Sequence, residues 1–139
     1  MAGRWFGRVV WLGILANLAL AVPTLVAPAR MITLVGVPPA TPLVWPQFSA
    51  LLLILLSAFY IPAAIDFARY RITAWSTVFS RLAGVVFFVG FQASEYHMLG
   101  YFDLFFFVPE AVLLTAAMRE LRNAHDRSVG PADPTVSPV

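Results

Sequence analysis

The sequence predicts an all-α protein: a four-helix transmembrane bundle with a short interfacial helix between the first and second spans. Three observations carry that prediction. First, 60 % of the 139 residues are apolar and 12 % charged, with a mean hydropathy of +0.82. A soluble domain is about 45–50 % apolar and about 25 % charged, so lipid has to cover the excess. Second, uncharged windows long enough to cross a bilayer recur along the chain. Third, arginines gather at alternate connections between those windows.

The first span covers about residues 9–27, behind the basic start MAGRWFGR. At about 1.5 Å per residue this run just crosses a hydrocarbon core of about 30 Å. A basic start before an apolar run also describes a signal peptide, with Ala19-Leu20-Ala21 resembling a cleavage site. The apolar run is longer than a usual signal core, and Pro23 follows the site closely, which favours a retained span. Asn17 at mid-span is expected to hydrogen-bond a neighbouring helix or its own backbone.

A short interfacial helix is expected from Pro28, ended by Gly36 and by Pro38-Pro39. Residues 40–46 hold two more prolines and Trp45, a stiff non-helical connection with an aromatic anchor at the head of the next span. The second span, about 43–65, contains LLLILL and is the strongest in the chain; Pro62 lies near its end. Asp66 and Arg69 follow at a spacing that allows a surface pair.

The third span has to run over about 72–96, because its uncharged part, 82–94, is too short alone; this places Arg81 inside it. Gly84 and Gly90 make room for close helix approach. An acidic, aromatic turn over 95–103 leads into the fourth span, about 101–118, which contains Pro109 and Glu110. One transmembrane domain therefore covers 1–121. Residues 122–139, polar and proline-rich toward the end, are expected to form a disordered cytoplasmic tail.

Loop charges orient the bundle. Arg4 and Arg8, Arg69 and Arg71, and Arg119 through Arg127 alternate with connections carrying Arg30 or only Glu95 and Asp103. Four spans in the cell membrane with both termini cytoplasmic fit this pattern; three or five would place a basic cluster outside.

Arg81 lies ten residues beyond Arg71, and Glu110 nine before Arg119. At helical rise the two sit about 15 Å and about 13 Å from the same face. An ionised group in hydrocarbon costs at least about 2.5–3.5 kcal/mol, and pairing is the usual remedy. The expectation is a buried Arg81–Glu110 ion pair joining spans three and four, helped by carbonyls that Pro109 frees. The alternative is an Arg81 that snorkels to the surface while Glu110 stays protonated.

The outer turn holds the remaining functional side chains. Gln92, Glu95 and Tyr96 would share a helical face, with His97 and Asp103 close in sequence. Together these five make a candidate ligand site. A quinone headgroup is the cofactor-like molecule that Tyr96, His97 or Glu95 could hold. One histidine, two carboxylates and Met98 match no metal-site spacing, and His125 lies too far off to pair with His97 on a haem. The chain has no cysteine, which excludes thiolate metal sites and disulfides. It also carries no nucleophile elbow, phosphate loop, HExxH or dinucleotide fingerprint, so no catalytic residue is assigned. A net charge of +2 with dispersed arginines excludes a nucleic-acid partner.

The layout resembles the small DoxX-like membrane proteins: about 140 residues, four spans, a Pro/Gly-bearing stretch after the first (Pro28, Gly36, Pro38, Pro39) and a charged turn before the third. The resemblance covers roughly residues 5–121 and is one of layout. It implies a four-helix bundle and an association with quinone-linked oxidoreductases, with no residue role attached. Three functions are in view. One is an accessory protein that packs against other membrane subunits, as in a membrane redox complex. Another is a quinone-linked or small-molecule-handling protein working at the outer turn. The third is a proton or solute pathway through Arg81 and Glu110.

Overall fold

The computed structural model describes residues 1–128, which are all-helical. Helix α1 (Ala2–Val26) is followed by the short α2 (Pro28–Val35), then by α3 (Val44–Ile65) and α4 (Arg71–Val85). The chain continues from α4 as a π-helical stretch (Val86–Phe91), makes a 3-10 turn (Ser94–Tyr96) and enters the long α5 (His97–Ser128). Four helical stretches, Ala2–Val26, Val44–Ile65, Arg71–Phe91 and Ser94–Ser128, are long and apolar enough to cross a membrane.

The long helices alternate in direction and close a ring in which α1 packs on α3 and α5, and α4 on α5 and α3. Two ends result. At one end lie the α3–α4 connection and the C-terminal part of α5, with Arg69, Arg71, Arg119 and Arg122 (the basic end). At the other, α2 and residues 36–43 fold over the end of α1 and the start of α3 (the α2 end).

Local sequence explains the breaks. Ala27 leaves the helical region and Pro28 starts α2, where its missing N–H costs nothing. Gly36 ends α2 at φ 76°, a conformation that suits glycine; its N–H reaches the carbonyls of Ile32 and Thr33, and the Val37 N–H also reaches Ile32. At the α3–α4 connection Asp66 accepts the backbone N–H of Arg69 at 3.1 Å. The Arg69 guanidinium lies over the Tyr70 ring instead of pairing with Asp66.

Two boundaries differ from the sequence expectation. The third long segment does not stay helical to 96, because Gln92 and Ala93 are extended. Helix α5 continues to Ser128 through residues expected to lose order. No glycine or proline interrupts 122–128, and adding a turn to an existing helix needs no new nucleus. The rest of the expected tail, 129–139, lies outside the described residues.

The half of the bundle toward the basic end is a dry core. Phe6, Val10 and Ile14 of α1 meet Tyr60, Ala63 and Ala64 of α3, Ala74 and Val78 of α4, and Leu114 of α5. Buried polar groups gather from mid-depth: Asn17, Ser57, Arg81 and Glu110. Thr77, one turn before Arg81, is buried on the basic side with its hydroxyl on the Ala74 carbonyl. The outward faces carry large apolar side chains, among them Leu12, Leu15, Leu55, Phe59, Phe79, Phe105 and Val112, all exposed.

Candidate functional site: a buried charge cluster beneath a pocket

Arg81 sits on the inner face of α4 with 3 % of its surface exposed. A guanidinium in such a place needs acceptors from several directions, and two elements, α5 and α1, supply them. From α5, Asp103 Oδ1 accepts from Nη1 at 2.9 Å. From α1, Asn17 Oδ1 accepts from the same nitrogen at 3.1 Å. Glu110, two turns further along α5 and 1 % exposed, brings Oε1 to 3.9 Å from Arg81 Nε, close enough for charge but too far for a hydrogen bond. The guanidinium carbon lies 4.9 Å from the centre of the Phe106 ring, a cation–π contact.

The network extends to α3. Asn17 donates from Nδ2 to Ser57 Oγ at 3.2 Å, and Ser57 in turn donates to the Leu53 carbonyl. Tyr60 and Ser80 hydrogen-bond to each other across α3 and α4. One arginine thus ties α4 to α5 and α1, and Asn17 carries the tie to α3. Among the described buried side-chain atoms, Arg81 Nε, Arg81 Nη2 and Glu110 Oε2 have no hydrogen-bond partner.

Two glycines make the close approach possible. A side chain at Gly84, one turn after Arg81, would collide with the Asp103 carboxylate. At Gly13 a Cβ would come within 2.6 Å of Arg81 Nη2 and 3.3 Å of Glu110 Oε1. Gly90 meets nothing within 4 Å, so it does not serve the close packing expected of it.

Above the cluster, toward the α2 end, lies a pocket of about 480 Å³. Asn17 and Asp103 form its floor, and Asp103 keeps 19 % of its side chain exposed there. Ile32 and Val35 of α2 roof it, with Trp45, Leu53, Phe88 and Phe102 among its walls and Tyr96 at its edge. The π-helical stretch matters here, because it presents Phe88 to the pocket and brings Val89 against Gly100. Gln47 fastens the start of α3 to the end of α1 through the Leu25 carbonyl at 3.0 Å.

Of the five residues expected at the outer turn, Tyr96 and Asp103 line this pocket; Gln92, Glu95 and His97 do not. The helical face expected to join Gln92, Glu95 and Tyr96 does not exist, because the chain is extended at Gln92. The Gln92 carbonyl lies 3.2 Å from His97 Nε2, and Glu95 is exposed. Asp103 lies within α5 and not in a turn, and binds Arg81. Arg81 hydrogen-bonds Asn17 and Asp103, where Glu110 was the expected partner with help from carbonyls near Pro109; Glu110 stands at 3.9 Å. The floor residue Asn17, the roof on α2 and Phe88 were not foreseen as site residues. Among the described residues, no group of three His, Asp or Glu side chains is arranged to hold a metal ion.

Chemically, the site offers apolar and aromatic walls, a carboxylate floor whose charge Arg81 compensates, and a phenol at the rim. A pocket of this size and lining suits a small molecule with an apolar body and one hydrogen-bonding end. No family model matches the chain, and no curated protein or solved structure matches it either.

Proposed function

We propose that this chain is a multi-pass membrane protein, with four spans and both termini in the cytoplasm, that holds an amphipathic small molecule of the quinone or hydroquinone class in the pocket above Arg81. The observation that carries the reading is the pocket floor: a buried Arg81–Asp103–Asn17 cluster opens onto an apolar cavity at one end of the bundle only. Large apolar side chains on the outward faces, with polar ones inside, support insertion in a bilayer. The alternation of arginine clusters supports the orientation. The layout shared with DoxX-like proteins points to the same ligand chemistry.

Two other readings have less behind them. A proton or solute pathway needs polar groups on both sides of Glu110, and toward the basic end the buried cluster is Phe6, Val10, Ile14, Val78 and Leu114, with alanines, Tyr60 and Thr77, whose hydroxyl bonds the Ala74 carbonyl. The accessory-subunit reading rests on the absence of catalytic motifs and on small residues at helix faces, of which Gly90 does face open space. Gly7, Gly13, Gly84 and Gly100 all face neighbours within the bundle.

The test begins with alkaline carbonate extraction of membranes, from which the protein should not be released. Purified in mild detergent, it should then bind a short-chain quinone saturably, read as quenching of tryptophan fluorescence. Ala50, buried at the pocket wall, is the residue to enlarge: Ala50→Phe should abolish quenching while the melting midpoint holds. Quenching that is unsaturable, or unchanged in Ala50→Phe, would overturn the ligand reading.

A further inference from the structure

The basic end carries a second concavity, of about 770 Å³, between the first turn of α4 and the last turns of α5. Arg71 lines it from α4, and Arg119, Arg122 and His125 from α5. The three α5 residues recur at i, i+3 and i+6, which places them along one face. Met118 and Leu121 add apolar lining between these basic residues, and Thr115 lines the side nearer the middle of the bundle. Arginines and apolar side chains thus line the same cleft.

The charge in this cleft is unbalanced. Among the described residues, none of Arg71, Arg119 and Arg122 forms an ion pair. The nearby acids are engaged elsewhere or lie outside the lining. Glu120 is held by the Met1 ammonium at 2.8 Å and faces α1. Asp66 accepts the Arg69 N–H. Asp126 is exposed and not part of the cleft. Arg71 Nε donates to the Ala68 carbonyl at 3.1 Å. Guanidinium groups converging without a carboxylate match the planar, multiply accepting oxygens of phosphate.

We propose that this cleft binds the phosphate headgroup of an anionic phospholipid, with the phosphate against Arg71, Arg119 and Arg122 and an acyl chain along Met118 and Leu121. The proposal rests on the membrane reading above. In a bilayer the cleft lies where the apolar helix surface gives way to arginine, the depth of the headgroups. Free phosphate shares the chemistry of the head but has nothing to lay along the apolar lining.

Native mass spectrometry of the full chain in mild detergent tests it, with phosphatidylglycerol, phosphatidylcholine and inorganic phosphate as separate probes. Phosphatidylglycerol should be retained in preference to phosphatidylcholine. Arg119→Gln with Arg122→Gln should lower its occupancy roughly tenfold or more. Arg4→Gln with Arg8→Gln, equal in charge removed but remote from the cleft, should not. Equal retention of the two lipids, an equal loss in both double variants, or inorganic phosphate competing on equal terms would overturn the proposal. Melting curves for both variants separate lost binding from lost folding. Release of the protein by alkaline carbonate would instead overturn the membrane reading, so the two failures are told apart.

Discussion

Arg81 and Asp103 meet at 2.9 Å across the α4–α5 interface, while Glu110, the acid at matched depth in the sequence, stays at 3.9 Å from the guanidinium. The hydrogen-bonded partner of the arginine is therefore the acid nearer the pocket. Glu110 contributes charge from the side of the dry core. This ranks the two acids in a double-mutant cycle followed by unfolding in detergent. The Arg81–Asp103 coupling should be the larger, on the order of 1–3 kcal/mol. A coupling of zero would show that the pair does not hold the helices together.

Removing the arginine alone should be worse than removing the cluster. Arg81→Met strands two carboxylates and should cost about 3–5 kcal/mol. Arg81→Met combined with Asp103→Asn and Glu110→Gln should recover much of that loss. Arg81→Lys keeps the charge but loses the planar group that sets Nη1 on Asn17 and Asp103 while Nε faces Glu110, and should fall between. Unfolding midpoints for the three variants order them.

Gly84 and Gly90 provide a paired test of the close approach. Gly84→Ala pushes against the Asp103 carboxylate and should cost about 1–3 kcal/mol. Gly90→Ala has open space and should stay within about 0.5 kcal/mol of the parent. Equal effects in thermal melts would remove the steric argument.

Asn17→Leu removes an acceptor from Arg81 and a donor to Ser57 at once. A buried partner left unsatisfied costs about 1–3 kcal/mol. The same variant should also weaken quinone binding, because Asn17 is part of the floor. Loss of stability with binding intact would place Asn17 in the scaffold alone.

Gly36→Ala should loosen the pocket roof without touching the core. The left-handed turn that ends α2 favours glycine, and alanine there should cost about 1 kcal/mol. Amide exchange across residues 31–37 should quicken, and quinone affinity should fall severalfold. Unchanged exchange would mean that α2 is held by its side chains and not by its cap.

The four long helices were legible because hydropathy is a local, additive signal: each window announces itself without knowledge of the others. Depth was legible too, since counting back from Arg71 and Arg119 places Arg81 and Glu110 at one level. Partner choice was not. Asp103 reads as a turn residue because nothing at 97–100 marks a helix start except the end of a polar stretch, yet α5 begins at His97. The break at Gln92 was equally silent, with no proline and no glycine immediately after it. The pocket is the least legible feature. Its walls come from five separate stretches, and Phe88 joins them only because α4 runs on into a π-helical stretch. A reading by 3.6-residue periodicity does not anticipate that register change.

The dry half of the bundle has an electrical meaning. In a bilayer the transmembrane voltage would fall mainly across the insulating layer of Phe6, Val10, Ile14, Val78 and Leu114, at about 2.3 kcal/mol per charge for each 100 mV. Asn17 and Asp103, which form the pocket floor, would then share the potential of the compartment the pocket opens toward. Any proton or ion exchanged with them would come and go on that side, without drawing on the gradient.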